Sequence, residues 1–133
     1  MNVKAHWSNL TESFEQVVDD KEDALRLVDH LWKASDPSQP PLLEFRDDSS
    51  GLALGIGVGR EKSVVTYQQT FDPPYFISLN DPDASGTTWF CYGTQYSEYL
   101  ASNLVAPDLA RQAVTEFFEH DGARPSAVEW EQL

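Results

Sequence analysis

Short strand-like segments separated by tight turns fill the middle of the chain and most constrain what it can fold into. The segments alternate apolar and polar residues or are uniformly apolar, and they run over 42–46, 52–58, 63–68, 75–79 and 87–92. A parallel pair of strands needs a crossover of about a dozen residues, so connections this short imply antiparallel neighbours. The connection 59–62 has the length of a hairpin loop. We therefore expect an antiparallel sheet in this part of the chain.

Two amphipathic helices flank these strands in the sequence. The first is predicted to begin at Asp19-Asp20, where short carboxylates can accept the unpaired amide hydrogens, and to end before Asp36-Pro37. The second begins at Pro107-Asp108 and ends at Gly122. Further strands are expected over 3–7, 14–18 and 127–131, whereas the chain between Gly93 and Leu104 has no regular pattern.

The sum predicts an α+β fold, a mostly antiparallel sheet of about six or seven strands with two helices packed against it. At 133 residues, without a linker or repeat, we expect one domain spanning 1–133. Trp7, Trp32 and Trp130 lie within apolar patterns and are assigned to the core.

The net negative charge of the chain limits the kinds of partner that it can bind. The formal net charge is −13, from 22 acidic and 9 basic residues, while 41% of the residues are hydrophobic. Such a charge disfavours direct binding to nucleic acid or to an anionic membrane, and it favours a cationic partner. The alternative interpretation is that the charge only maintains solubility.

Cysteine content and hydropathy indicate where the protein works. A lone cysteine, Cys91, excludes an internal disulfide and fits a reducing compartment. The first residues lack the apolar run of a signal peptide, and no stretch approaches the roughly 20 apolar residues that span a bilayer. We expect a cytoplasmic protein without membrane contact.

A ring-rich segment over 67–99 is the strongest functional signal in the chain. It holds more than half of the aromatic residues, and no Lys or Arg occurs from Ser63 to Ala110. Rings beside carboxylates without nearby cations suit a surface that docks onto a basic protein. The competing interpretation is that the rings are core, which we consider most applicable to Trp89 and Tyr75. The predicted partner-binding residues are Asp72, Tyr75, Asp81, Asp83, Trp89, Tyr96, Glu98 and Tyr99.

Motifs for catalysis or cofactor binding are weak. The glycines of 55–59 follow a Gly-x-Gly-x-Gly spacing without a following helix, so they indicate a strand with a bare face that a helix or side chain approaches closely. The stretch Asp81-x-Asp83-x-Ser85-Gly86 resembles half of a calcium loop, but Tyr92 stands where the closing carboxylate would be. The three histidines are dispersed, and Cys91 has no basic neighbour in sequence. We expect no catalytic residues, no metal and no cofactor.

One family resemblance adds to these patterns. The residues that carry it are Gly57-Val58-Gly59, Ser63-Val64-Val65-Thr66-Tyr67, Pro73-Pro74-Tyr75-Phe76-Ile77-Ser78-Leu79, Tyr92-Gly93, Ser97-Glu98, Leu104, Ala110, Ala113, Phe117-Phe118, Arg124-Pro125 and Val128-Glu129-Trp130. From about Leu52 onward the chain resembles the first-numbered family of immunity proteins of bacterial polymorphic toxin systems. The resemblance implies a non-catalytic α+β domain that binds and blocks a cognate toxin. It implies no catalytic residues, and the toxins paired with such proteins are often nucleic-acid deaminases.

The electrostatic argument supports the same hypothesis. A toxin that acts on nucleic acid must attract phosphates, so we expect a basic cleft that an acidic protein can cover. Two alternatives remain open at this stage. One is an enzyme or small-ligand-binding domain with a pocket lined by Tyr67, Tyr92 and Tyr96, and the other is an acidic adaptor or chaperone.

Overall fold

Nine strands and two α-helices make up the protein. The computed structural model describes all residues, 1–133. In chain order the elements are β1 Val3–Ser8, β2 Ser13–Val18, α1 Lys21–Ala34, β3 Leu42–Arg46, β4 Ala53–Gly57, β5 Val65–Gln68, β6 Tyr75–Leu79, β7 Thr87–Tyr92, β8 Gln95–Leu100, a single 3-10 turn Ala101–Asn103, α2 Pro107–Glu119 and β9 Glu129–Gln132.

Seven of the strands form one fully antiparallel sheet in the order β2-β1-β3-β4-β5-β6-β9. The remaining two, β7 and β8, pair with each other as an antiparallel hairpin, and one parallel bridge joins Cys91 of β7 to Pro41. The α+β prediction is confirmed. The expectation of irregular chain after Gly93 is wrong, because β8 occupies 95–100. Neither face of β8 is uniformly apolar, so hydrophobic alternation could not mark it as a strand.

Both helices pack on the same face of the seven-stranded sheet. The α1 helix begins at Asp20, whose carboxylate accepts a hydrogen bond from the backbone N–H of Asp23 at 2.8 Å. The α2 helix begins with Pro107 in its first turn and ends near Gly122, which has a φ of +86°. Their apolar faces join the inward residues of the sheet in the main core, whose largest fully buried members include Phe45, Leu54, Ile56, Val114 and Phe117. Neither helix is both long enough and apolar enough to cross a membrane.

The three tryptophans assigned to the core, Trp7, Trp32 and Trp130, are partly buried and pack against this main cluster.

The opposite face of the sheet is covered by the β7–β8 hairpin. Its Phe90 is fully buried and joins a second core cluster with Leu42, Val64 and Ile77. The phenyl ring lies directly against Gly57, where an added Cβ would collide with the ring. The prediction that a bare strand face admits a close neighbour is confirmed at this glycine. The molecule therefore has three layers, with helices on one side of the sheet and the hairpin on the other.

Three hydrogen bonds stabilise the hairpin, and two of them attach it to the rest of the protein. The backbone N–H of Cys91 donates to the carbonyl of Pro40 at 2.7 Å, and that of Thr94 donates to Ser8 Oγ at 3.1 Å. The third bond lies within the hairpin: the N–H of Ala101 donates to the carbonyl of Gly86 at 2.9 Å and closes its open end. The Cys91 thiol is buried, which raises its pKa and makes it a packing residue rather than a nucleophile.

Candidate functional site

The hairpin presents an outer surface that collects several of the predicted binding residues. Residues directly opposite each other in an antiparallel pair point to the same side, and Trp89 lies opposite Glu98. The alternate residues Phe90 and Tyr99 point toward the sheet, with their rings 6.0 Å apart. We call the opposite side the hairpin outer face. Its exposed or half-buried residues are Thr87, Trp89, Tyr96, Glu98 and Leu100, while Cys91 on the same side is buried.

Two aromatic rings stand together on this face. The rings of Trp89 and Tyr96 meet edge to face with centroids 4.1 Å apart. Tyr96 is 59% exposed and Leu100 is 57% exposed, whereas Trp89 is half-buried. Such an ordered pair offers a large apolar surface at low entropic cost to a partner.

Two carboxylates border the hairpin outer face. Asp81 and Asp83 lie in the connection that leads into β7, and both are exposed. The connection is ordered locally, because the backbone N–H of Asp83 donates to Asp81 Oδ1 at 3.0 Å and that of Asn80 donates to the carbonyl of Ser102 at 2.9 Å. Asp81, Asp83 and Glu98 form no ion pair within the protein. Their charge is therefore available to a partner.

The remaining predicted residues lie elsewhere. Asp72 and Tyr75 are exposed at the opposite end of β6 from Asp81, separated by a strand whose four steps span roughly 13 Å. Tyr99 points inward beside Phe90, and burial raises its pKa. The eight predicted residues thus divide into a hairpin group with its two bordering acids, a distant pair and one inward ring.

Arg60, which the sequence did not single out, supports the outer face from one side. Its guanidinium carbon lies 4.7 Å from the centre of the Trp89 ring and 5.7 Å from that of Phe90. Its Nε donates to the carbonyl oxygen of Trp89 at 2.9 Å. The segment without cations in the sequence therefore receives one in space, from the β4–β5 connection. No local pattern links positions 60 and 89, so this contact could not be predicted from the sequence.

A buried carboxylate, Glu44, anchors the tip of the hairpin. Its Oε1 accepts from Arg46 Nη1 at 2.8 Å and its Oε2 accepts from the Tyr92 hydroxyl at 3.3 Å. Burial of the phenol and the neighbouring Glu44 charge raise the pKa of Tyr92 to about 12. Arg46 also contacts Asp48 through its Nε at 2.7 Å, which lowers the pKa of that carboxyl group. This polar network lies on the sheet face that carries the hairpin and holds the hairpin tip, and three of its four residues also line an open cavity of about 270 Å³ beside His6 and Phe14.

The pocket expected for a small ligand is not formed by its three tyrosines. Tyr67 is buried on the helix side of the sheet, where its hydroxyl donates to the carbonyl of Gly122 at 2.8 Å. Tyr92 contacts Glu44 on the other side of the sheet, and Tyr96 lies on the hairpin outer face. The three rings face three different surroundings and cannot contact one ligand.

Comparison with known proteins adds a finding that covers nearly the whole chain. The family model described as Imm1, immunity protein Imm1, matches residues 5–132. The match includes the N-terminal third, to which the resemblance seen in the sequence did not extend. No curated protein matched the chain.

Proposed function

Because the chain belongs to the Imm1 family of immunity proteins, we propose that it binds a cognate toxin domain and blocks its action by occupancy rather than by turnover. The observation that carries this proposal is the match over residues 5–132. The fold supports it, since three of the side chains singled out in the sequence, Trp89, Tyr96 and Glu98, share one outward-facing surface and not an enclosed pocket.

The binding surface we propose is the hairpin outer face together with Asp81 and Asp83. The exposed Tyr96 and the half-buried Trp89 offer anchoring rings, and aromatic residues of this kind dominate binding energy at interfaces. Glu98 lies among them, and none of these carboxylates is neutralised by a cation of the protein. A typical stable interface buries about 1,600 Å² in total, so neighbouring surface must also take part.

The charge of the protein identifies the kind of toxin we propose. A net charge of −13 suits a partner that is basic, as a domain that acts on nucleic acid must be to attract phosphates. Electrostatic steering can raise association rates toward 10⁸–10⁹ M⁻¹s⁻¹ at low salt. The carboxylates would then accelerate association with the toxin, while the rings, once buried in the complex, would slow dissociation.

Neutralisation of the bordering acids tests this face directly. The triple variant D81N/D83N/E98Q keeps the side-chain shapes and removes three charges. We expect it to associate with the toxin encoded beside it at least about tenfold more slowly, with a weaker dependence on salt. A matched variant, E12Q/D19N/E22Q, removes three exposed charges away from the hairpin and should slow association much less. Stopped-flow kinetics with a catalytically inactive toxin would measure both.

The contribution of the aromatic rings to binding requires a separate measurement, the dissociation rate. Replacement of Tyr96 by alanine should raise the dissociation rate by a factor corresponding to about 2 kcal/mol, because interface tyrosines often reach this value. If the complex forms and neither the charge variant nor the ring variant changes its association or dissociation rate, the proposed face is contradicted but the proposed function is not. Absence of any complex at low salt, together with unprotected cells when toxin and protein are coexpressed, would contradict the function itself.

A further inference from the structure

An open cleft near the hairpin is lined by more basic than acidic residues, unlike the protein as a whole. It encloses about 740 Å³ between the end of α1, the β4–β5 connection and β7. Its lining consists of two cations, Arg60 and Lys62, one carboxylate, Glu61, and five uncharged residues that include Trp32, Thr88 and Leu104. Two cations thus line one cleft in a chain that has 9 basic and 22 acidic residues.

These two cations have no carboxylate partner within the protein. Five of the nine basic residues form ion pairs, such as Lys21 with Glu119 at 3.3 Å and Arg111 with Asp29 at 2.9 Å. Arg60 and Lys62 form none, although Glu61 lies between them in the sequence. Lys33 and Arg124 also form none, but neither lines the cleft. With carboxylates in such excess, cations left without a partner on one side of the molecule mark a place where an external anion can bind.

Arg60 is already oriented for this role. Its Nε–H is used by the carbonyl of Trp89, and its plane lies over the Trp89 and Phe90 rings. Its two terminal nitrogens donate to no acceptor in the protein, so the outer edge of the fork is available to a carboxylate. Lys62 is exposed. Arg60 links this cleft to the hairpin outer face, because it lines the cleft and contacts Trp89.

We propose that this cleft receives an acidic side chain of the same toxin that contacts the hairpin outer face, so that the interface pairs charges of both signs. The inference rests on the proposed function. A protein carboxylate is favoured over a nucleic-acid phosphate because a polyanion is repelled by the net charge of −13, whereas one carboxylate on a basic protein is not. Elsewhere in the interface, carboxylates of this protein would face cations of the toxin. One pair of the opposite arrangement at its edge fixes how the two proteins are aligned and discriminates against unrelated basic proteins.

Reversal of the charge at Lys62 tests the cleft, because the change in affinity that we expect is opposite to the change that overall charge alone would cause. The variant K62E makes the protein more acidic, which should strengthen binding to a basic toxin if only overall charge matters. We expect instead at least about tenfold weaker affinity, mainly through faster dissociation. The matched control is K33E, since Lys33 is an exposed cation that also lacks an ion pair but does not line the cleft. This control should bind as the wild type does or more tightly.

A second variant, R60K, keeps the charge and removes the fork that stacks on Trp89. It should also weaken binding, and thermal melts of both variants establish that they fold. Affinity of K62E equal to or above that of the wild type would overturn the inference while the proposed function stands. Binding of a short single-stranded oligonucleotide by the wild type, lost in K62E, would overturn it in favour of a phosphate. Failure of the wild type to bind the toxin at all would overturn both.

Discussion

At the scale of single residues, Tyr92 shows how one hydroxyl can make the attachment of the hairpin depend on pH. The protonated phenol donates to the Glu44 carboxylate, whereas a phenolate there would be partly buried and would face that negative charge. The pKa of Tyr92 is therefore raised from 10.0 to about 12. A raised pKa in the folded state stabilises the protein fully below the unfolded value near 10, and this contribution is lost as the pH rises through about 12.

Replacement of Tyr92 by phenylalanine should remove this contribution. We expect the free energy of unfolding at pH 7 to fall by about 0.5 to 1.5 kcal/mol, toward the lower end because the ring is 44% exposed to competing water. The stability of the variant should also decline less steeply than that of the wild type between pH 10 and pH 12. Urea denaturation measures both. The control Y96F removes a hydroxyl that has no hydrogen bond in the protein and should change neither quantity.

The same scale shows what local sequence could and could not predict. Trp89, Tyr96 and Glu98 were predicted together because the rings and acids of one short segment are visible in the sequence, and strand alternation then brings them onto one face. Arg60 and Glu44 were missed, since their contacts with Trp89 and Tyr92 cross 29 and 48 positions of the chain. Such contacts depend on how the hairpin is placed on the sheet, and no periodicity within a strand encodes that.

At the scale of elements, the hairpin is held on the sheet by the fit of Phe90 against Gly57. A methyl group at position 57 would occupy the space of the ring. We expect G57A to lower the free energy of unfolding by about 1 to 3 kcal/mol, because overpacking a dense core costs about that much. The double variant G57A/F90L should recover part of the loss, giving a coupling energy between about 0.5 and 3 kcal/mol in a double-mutant cycle. Strictly additive losses would contradict the contact.

Element prediction succeeded where periodicity carried the information. Turn length was less reliable: the short connection 80–86 wrongly predicted that β6 and β7 are neighbours, whereas β6 pairs with β5 and β9, and β7 pairs with β8. The helices were predicted from apolar spacing and capping residues, and five central strands from alternation and short connections. The layer to which each strand belongs was not predictable. The β7–β8 hairpin leaves the main sheet because its Phe90 fills the bare surface over Gly57, and this requires knowledge of the neighbouring strands.

At the scale of the whole molecule, the net charge of −13 was readable at once, but the surface that uses it was not. Acids are exposed on every side, from Glu22 on α1 to Glu129 on β9, so total charge alone does not select a face. The hairpin was chosen as the binding face because aromatic rings lie close to Asp81, Asp83 and Glu98 there. The unpaired cations beside them became visible only after folding.

The excess of negative charge should also have a measurable cost for the free protein. Like charges repel more strongly in the compact state than in the unfolded chain, and salt screens that repulsion. We therefore expect the free energy of unfolding at pH 7 to rise as sodium chloride increases from about 0.01 M to about 1 M, while the Debye length falls from about 30 Å to about 3 Å. Near pH 4.3, where the sequence has no net charge, the rise should vanish.

Denaturation curves at the two pH values separate this effect from general salting-out, which would raise stability equally at both. Parallel increases would therefore contradict the repulsion argument. The same salt series should slow association with a basic toxin, because screening weakens the attraction that steers the two proteins together. Salt would thus stabilise the free protein and weaken its encounter with the partner. That opposition is expected if a charge that costs folding stability is kept because it speeds capture of a cationic protein.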